Sequence, residues 1–157
     1  MLEKIRGFEV VRSDCLKSYN DSKDVMLPLR STKGADGYDF YLPCDIVINP
    51  NESIVIWSDV KAYMLEDEML NIFPRSSVSI KKHVRITNTV GIIDSDYYNN
   101  PKNDGNIGLA LWNFDKKSQQ FFKKGDGIAQ GIFQKYLIAD NCNSENCRIG
   151  GIGSTNK

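Results

Sequence analysis

The chain has 157 residues, 41% of them hydrophobic, and its 20 basic side chains balance 20 acidic ones. That is the size and composition of one globular domain, long enough to bury a core without a disulfide or metal staple. The balanced charge argues against a nucleic-acid binder, whose affinity comes from a basic surface that neutralises phosphates, and against a polybasic membrane contact. No apolar run approaches the roughly 20 residues of a membrane span. Residues 1–6 lack the apolar core of a signal peptide, so the chain reads as cytoplasmic. Cys15, Cys44, Cys142 and Cys147, with His83 as the single imidazole, lack the spacing of a zinc site and read as reduced thiols.

In chain order, residues 13–24 are polar and read as a loop. Ile46 and Ile48, then Ile54 and Ile56, alternate around Asn49-Pro50-Asn51-Glu52, which predicts a hairpin. Residues 62–70 are the best stretch for a short helical turn. Residues 97–106, Y-Y-N-N-P-K-N-D-G-N, are dense in turn formers. The apolar run 107–112 predicts a strand buried on both faces. Ile128, Gln130, Ile132, Gln134 and Tyr136 alternate at strand spacing. Many short strands with regular turn signals predict an all-β sandwich, jelly roll or barrel. An apolar-poor tail follows, so a β-barrel domain over 1–140 and a C-terminal arm over 141–157 are expected.

Five patches carry residues suited to chemistry. In the tail, Arg148 precedes Gly150-Gly151-Ile152-Gly153-Ser154-Thr155. Glycines bare backbone N–H groups, hydroxyls add donors and Arg grips phosphate in a bidentate way. The run lacks the G-K-[ST] ending of a Walker loop, and alone it also reads as a flexible terminus. Arg75-Ser76-Ser77 on a turn suits a phosphate chain, or is a surface Arg beside turn serines. Asn88-Thr89-Val90-Gly91-Ile92-Ile93-Asp94-Ser95-Asp96-Tyr97 brings carboxylates and an aromatic ring to one strand end. Asp94 follows two isoleucines, and an apolar wall there would raise its pKa and make it a better base. Asp39, in Ala35-Asp36-Gly37-Tyr38-Asp39-Phe40, sits between aromatics. Gly125-Asp126-Gly127-Ile128-Ala129-Gln130 is a turn entering a strand that carries Gln130.

Together, in this order and over residues 35–155, these patches resemble the five motifs of the homotrimeric deoxyuridine triphosphate pyrophosphatases (dUTPases). The opening Ile5-Arg6-Gly7-Phe8-Glu9 and the inserted Tyr98-Asn99-Asn100-Pro101 resemble a subgroup from Gram-positive bacteria and their phages. The resemblance implies a dUTPase-like jelly roll or distorted β-barrel with a C-terminal arm. It implies a homotrimer whose sites each draw on three chains. It also implies hydrolysis of dUTP to dUMP and pyrophosphate with Mg²⁺. Asp94 would be the general base for in-line water attack on the α-phosphorus. Asp39 would hold a water on Mg²⁺. Arg75, Ser76, Ser77 and Gln130 would contact the phosphates. Asn88 and the backbone of Gly91, Ile92, Ile93 and Asp94 would read the uracil edge. Tyr97 would pack beneath the deoxyribose and leave no room for a 2′-hydroxyl. Arg148, Ile152, Gly153, Ser154 and Thr155 would form the closing arm, with Arg148 on the γ-phosphate.

Three positions depart from the family pattern. Ile152 stands where an aromatic, usually Phe, stacks on uracil. Gly127 stands where Arg or a similar residue is usual, and Asp36 where a small residue is usual. These changes bear on substrate capture and arm geometry. The alternative reading is a non-catalytic or moonlighting, nucleotide-dependent regulator, with the polar insertion 99–106 as the docking surface for a regulatory protein partner. A second alternative is the dCTP deaminase branch of the same fold.

Overall fold

The computed structural model describes residues 4–142, 144 and 148–152. Gly153, Ser154 and Thr155 of the predicted arm lie outside them. The strands are β1 (Gly7–Val10), β2 (Leu29–Arg30), β3 (Tyr38–Tyr41), β4 (Ile46–Ile48), β5 (Ser53–Trp57) and β6 (Val60–Tyr63). They continue as β7 (Glu68–Pro74), then the helix α1 (Ser76–Lys82), then β8 (Val84–Ile86) and β9 (Gly91–Asp94). The last are β10 (Gly108–Asn113), β11 (Gln120–Phe122) and β12 (Gly127–Lys135). The expected all-β architecture, a distorted barrel, is what forms.

The largest sheet has the order β2-β3-β12-β7-β9, a second has β5-β10-β8, and β1-β6 and β11-β4 pair separately. All the ladders are antiparallel. Their inward faces share one core, in which Phe40, Leu42, Ile48, Leu70, Ile107, Leu109, Leu111 and Ile128 are fully buried. The alternation read over residues 128–136 is β12, the longest strand. The run 107–112 is β10, flanked by β5 and β8. Its residues alternate buried and half-buried rather than burying both faces, because Ala110 and Trp112 point away from the core.

Two local expectations fail, for physical reasons. Ile46–Ile48 and Ser53–Trp57 are strands but not a hairpin, since β4 pairs with β11 and β5 with β10. Asn113 Nδ2 donates to the carbonyls of Ile48 and Asn49, each at 3.1 Å, and so occupies acceptors at the point where a hairpin ladder would begin. Residues 62–70 are not helical. They are the end of β6, a turn and the start of β7, and Glu68 closes the turn from its amide to Leu65 C=O at 3.0 Å. Among the described residues the one α-helix is Ser76–Lys82, so Ser76 and Ser77, expected with Arg75 on a turn, open a helix instead.

Candidate active site

The motif residues fall into two clusters at different places on the large sheet. In the first, β9 is the terminal strand beyond β7. One side of its backbone is hydrogen-bonded to β7, through Met69↔Asp94 to Ile72↔Gly91. Its other side is a free edge, the geometry that presents unpaired N–H and C=O groups. The turn entering β9 carries Asn88, whose carbonyl accepts from the Val90 amide at 2.8 Å, and Thr89 with φ of 71°. Beside this edge is a cavity of about 340 Å³, lined by Asn88, Gly91–Asp94 and Tyr97, by the start of β10, and by Arg148, Gly151 and Ile152 of the arm. This is the size range of small-molecule sites, ~300–1,000 Å³.

Tyr97 closes one end of that cavity. Its hydroxyl donates to Asn106 C=O at 2.7 Å and accepts from Asn103 Nδ2 at 2.7 Å. Burial pushes the Tyr97 pKa up from its ordinary value, so the group is a phenol at neutral pH. The Asp94 side chain is 50% exposed and is held by Arg148 Nη2. The desolvating apolar wall expected for it is therefore absent in the single chain, and a cation sits there instead. Arg148 Nε also donates to Asp96 Oδ1 at 2.8 Å. The arm lies flat here because residue 151 is glycine: a Cβ would stand 2.6 Å from the Tyr97 ring.

The second cluster spans three strands. Asp39 of β3 is opposite Gln130 of β12, which is opposite Phe73 of β7. Arg75 follows β7 and caps α1, so Ser76 and Ser77 occupy the first turn of that helix. Arg75 Nε lies 3.2 Å from Asp39 Oδ1, and its Nη1 donates to Gly127 C=O at 3.2 Å. A Cβ at 127 would meet the end of the Arg75 side chain, so the glycine leaves the guanidinium its present place and a larger residue would make that flexible side chain shift. Gln130 Nε2 donates to Pro74 C=O at 3.4 Å.

The two clusters do not meet in one chain. Gln130 lies opposite Phe73 and Asp94 opposite Met69, four positions apart on β7 with two strand intervals between them. That is a separation of roughly 16 Å, from a rise of about 3.3 Å per residue and about 4.8 Å between strands. None of Asp39, Arg75, Ser76, Ser77 or Gln130 lines the Asp94 cavity. Sequence reasoning missed the asparagines behind Tyr97. Much of the insertion 99–106 is turned inward: Asn100, Asn103, Asp104 and Asn106 are buried and bonded to one another and to the barrel, while Asn99, Pro101 and Lys102 are exposed. The signal was available, since asparagines at 100, 103 and 106 recur every third residue.

A family model described as dUTPase matches residues 23–155. A deoxyuridine 5′-triphosphate nucleotidohydrolase of Lactococcus lactis is 38% identical over 154 residues, covering 97% of this chain and 98% of that one. The corresponding Mus musculus protein is 30% identical, covering 87% of this chain and 82% of its own length. The crystal structure of a dUTPase from Streptococcus mutans superposes with a TM-score of 0.73 at 36% identity, covering 86% of this chain and 99% of that one. Fold, ordered motifs and near full-length similarity agree: the chain belongs to the dUTPase family.

Proposed function

We propose that the chain hydrolyses dUTP to dUMP and pyrophosphate by in-line attack of water on the α-phosphorus. The observation that carries this reading is the cavity beside β9. A free strand edge next to Asn88 suits the donor and acceptor pattern of uracil, and Asp94 and Tyr97 stand at its end. Cytosine would swap an acceptor for a donor against fixed backbone groups and leave one of them buried and unpaired, a strong discriminator. Asp94 takes the proton of the attacking water as the bond to pyrophosphate breaks. Arg148 exchanges its carboxylate partners for phosphate oxygens on loading, which frees Asp94 for that role. Ile152 covers the base, and Gly153, Ser154 and Thr155 complete the arm and exclude water.

Arg75, Ser76, Ser77 and Gln130 bind the triphosphate. Bound with the substrate, Mg²⁺ would neutralise charge on the leaving pyrophosphate. Asp39, a lone buried carboxylate already paired with Arg75, suits a contact to that ion through water rather than a direct ligand cage. Since the two clusters lie apart in one chain, a complete site needs the β9 cluster of one subunit beside the Arg75 cluster of another. A homotrimer with shared sites satisfies this. The segment after β12 is available for such contacts, with Leu137 98% and Ile138 65% exposed.

The test is pyrophosphate release across dUTP, dCTP, dTTP and UTP, with and without Mg²⁺. Release confined to dUTP and dependent on Mg²⁺ is expected. Ammonia from dCTP, or binding of dUTP with no release at high protein concentration, would overturn the proposal.

A further inference from the structure

We propose that Asn103 is a positioning residue for Tyr97, and that the hydrogen bond between them sets how strongly the site rejects a 2′-hydroxyl. This rests on the reading that the Tyr97 ring packs beneath the deoxyribose. The phenol has two hydrogen-bonding roles and both are filled within the chain, by donation to Asn106 C=O and acceptance from Asn103 Nδ2, each at 2.7 Å. None of that capacity is left for a ligand, so the hydroxyl serves to hold the ring.

The holding groups are themselves fixed. Asn103 Oδ1 accepts from Asn100 Nδ2 at 2.7 Å and from the Gly105 amide at 3.3 Å. Asn100 Nδ2 also donates to the Tyr97 carbonyl at 2.8 Å. The loop therefore closes on Tyr97 at both ends, backbone and hydroxyl. Asn106, fully buried, anchors it to the barrel through Asp59 Oδ1 at 2.7 Å and Cys15 C=O at 3.0 Å. Rotamers locked by such bonds give a small site its geometric tolerance.

Tyr97 is buried in the core, with Gly151 of the arm close against its ring, and it borders two cavities: the one beside β9 and a second of about 250 Å³ that it shares with Lys17, Trp57 and Lys102. Packing confines the ring, and the tether adds to that by fixing its hydroxyl end. Discrimination by exclusion of a single group is limited to the energy needed to move the wall, so the stiffness of Tyr97 translates directly into selectivity.

The experiment measures kcat/KM for dUTP, UTP and dCTP with the wild type, Asn103→Ala, Tyr97→Phe and the double variant, alongside thermal midpoints. Both single variants should lower the dUTP:UTP ratio by about 5- to 30-fold, the factor set by one or two buried hydrogen bonds. The double variant should lower it no further than Tyr97→Phe, which removes the Asn103 bond together with the one to Asn106 C=O. The dUTP:dCTP ratio, which reads the base and not the sugar, should stay put. A merely structural role would reduce all three substrates together and leave both ratios alone. If Asn103→Ala does not fold, Tyr97→Phe decides, since it removes the tether and leaves the Asn100–Asn103 link intact. An unchanged dUTP:UTP ratio in Tyr97→Phe overturns the tether, as does full additivity in the double variant. Wild-type protein that cleaves UTP as readily as dUTP overturns instead the underlying placement of Tyr97.

Discussion

The two halves of the site are built to different standards. The half proposed for the nucleoside, around β9 and Tyr97, is a walled cavity beside a free strand edge, with the Tyr97 hydroxyl hydrogen-bonded both as donor and as acceptor. The half proposed for the phosphates, around Asp39, Arg75 and Gln130, pairs the buried Asp39 with the part-exposed Arg75 beside the exposed Ser76 and Ser77. The difference matches the tasks. Telling uracil from cytosine and deoxyribose from ribose needs fixed groups, because selectivity comes from leaving the wrong ligand's partners unpaired or clashing. Gripping a triphosphate needs charge, and charge acts over several ångströms with less demand on geometry. Arg75 is part-exposed, and its pairing with Asp39 keeps the guanidinium oriented.

The hardest test of this division is the proposed base. Asp94→Asn should lower turnover by about 10²- to 10⁴-fold, while dUMP binding stays close to that of the wild type. The change removes the proton acceptor and keeps the side chain's shape. Retained turnover would take Asp94 out of the chemistry and leave the nucleoside half as a binding pocket only. Next in size is Arg75→Ala, expected to cost about 10- to 100-fold in kcat/KM for dUTP through lost charge-assisted bonds. Its affinity for deoxyuridine, which carries no phosphate, should not change. A parallel loss of deoxyuridine binding would mean that the halves are coupled and the comparison is wrong.

How much of this was legible in the sequence follows from where each signal lies. Asp39, Gln130, Asp94 and Tyr97 were picked out because their neighbours alternate or punctuate locally, and each sits on or just after a strand. What was not legible is non-local. Nothing in residues 46–56 says that β4 will pair with β11 and β5 with β10, because the partners lie far along the chain, Phe122 opposite Ile46 and Trp112 opposite Ser53. The asparagine loop misled for a related reason. Polarity normally means solvent, yet these amides satisfy one another, and a buried polar network is stable only when it is complete. The helix Ser76–Lys82 is short and exposes Ile80, so it offers no clean apolar face to read. The separation of the two half-sites is a property of sheet order, which motif spacing does not reveal.

A gentler test concerns the arm, which spans the comparison because it lines the cavity beside β9 and carries Arg148, proposed for the phosphates. Ile152 lines that cavity. It covers a base without stacking on it, so Ile152→Phe should lower KM for dUTP by about 2- to 10-fold, the gain of one aromatic contact. The benefit should be the same for dUTP and dUMP, since stacking acts on the base alone. A gain confined to the triphosphate would assign position 152 to the phosphate half.

The smallest expected effect is on stability, and it too separates the halves. Tyr98, next to the anchored Tyr97, donates its hydroxyl to Glu9 Oε2 at 2.6 Å and so ties the asparagine loop to β1. Burial first, and then the bond to Glu9 and its charge, push the Tyr98 pKa up to about 12. In the unfolded chain a tyrosine titrates near about 10. The folded state therefore holds this proton more tightly, and the resulting stabilisation is fully present below about pH 10 and is lost as pH rises towards the folded value. Thermal midpoints measured from pH 9 to 12 should fall more steeply for the wild type than for Tyr98→Phe. The comparison cancels the exposed lysines that titrate over the same range in both proteins. Equal slopes for wild type and Tyr98→Phe would show that the Glu9 contact is not what fastens the loop, and that the stiffness of the nucleoside half comes from the asparagines alone.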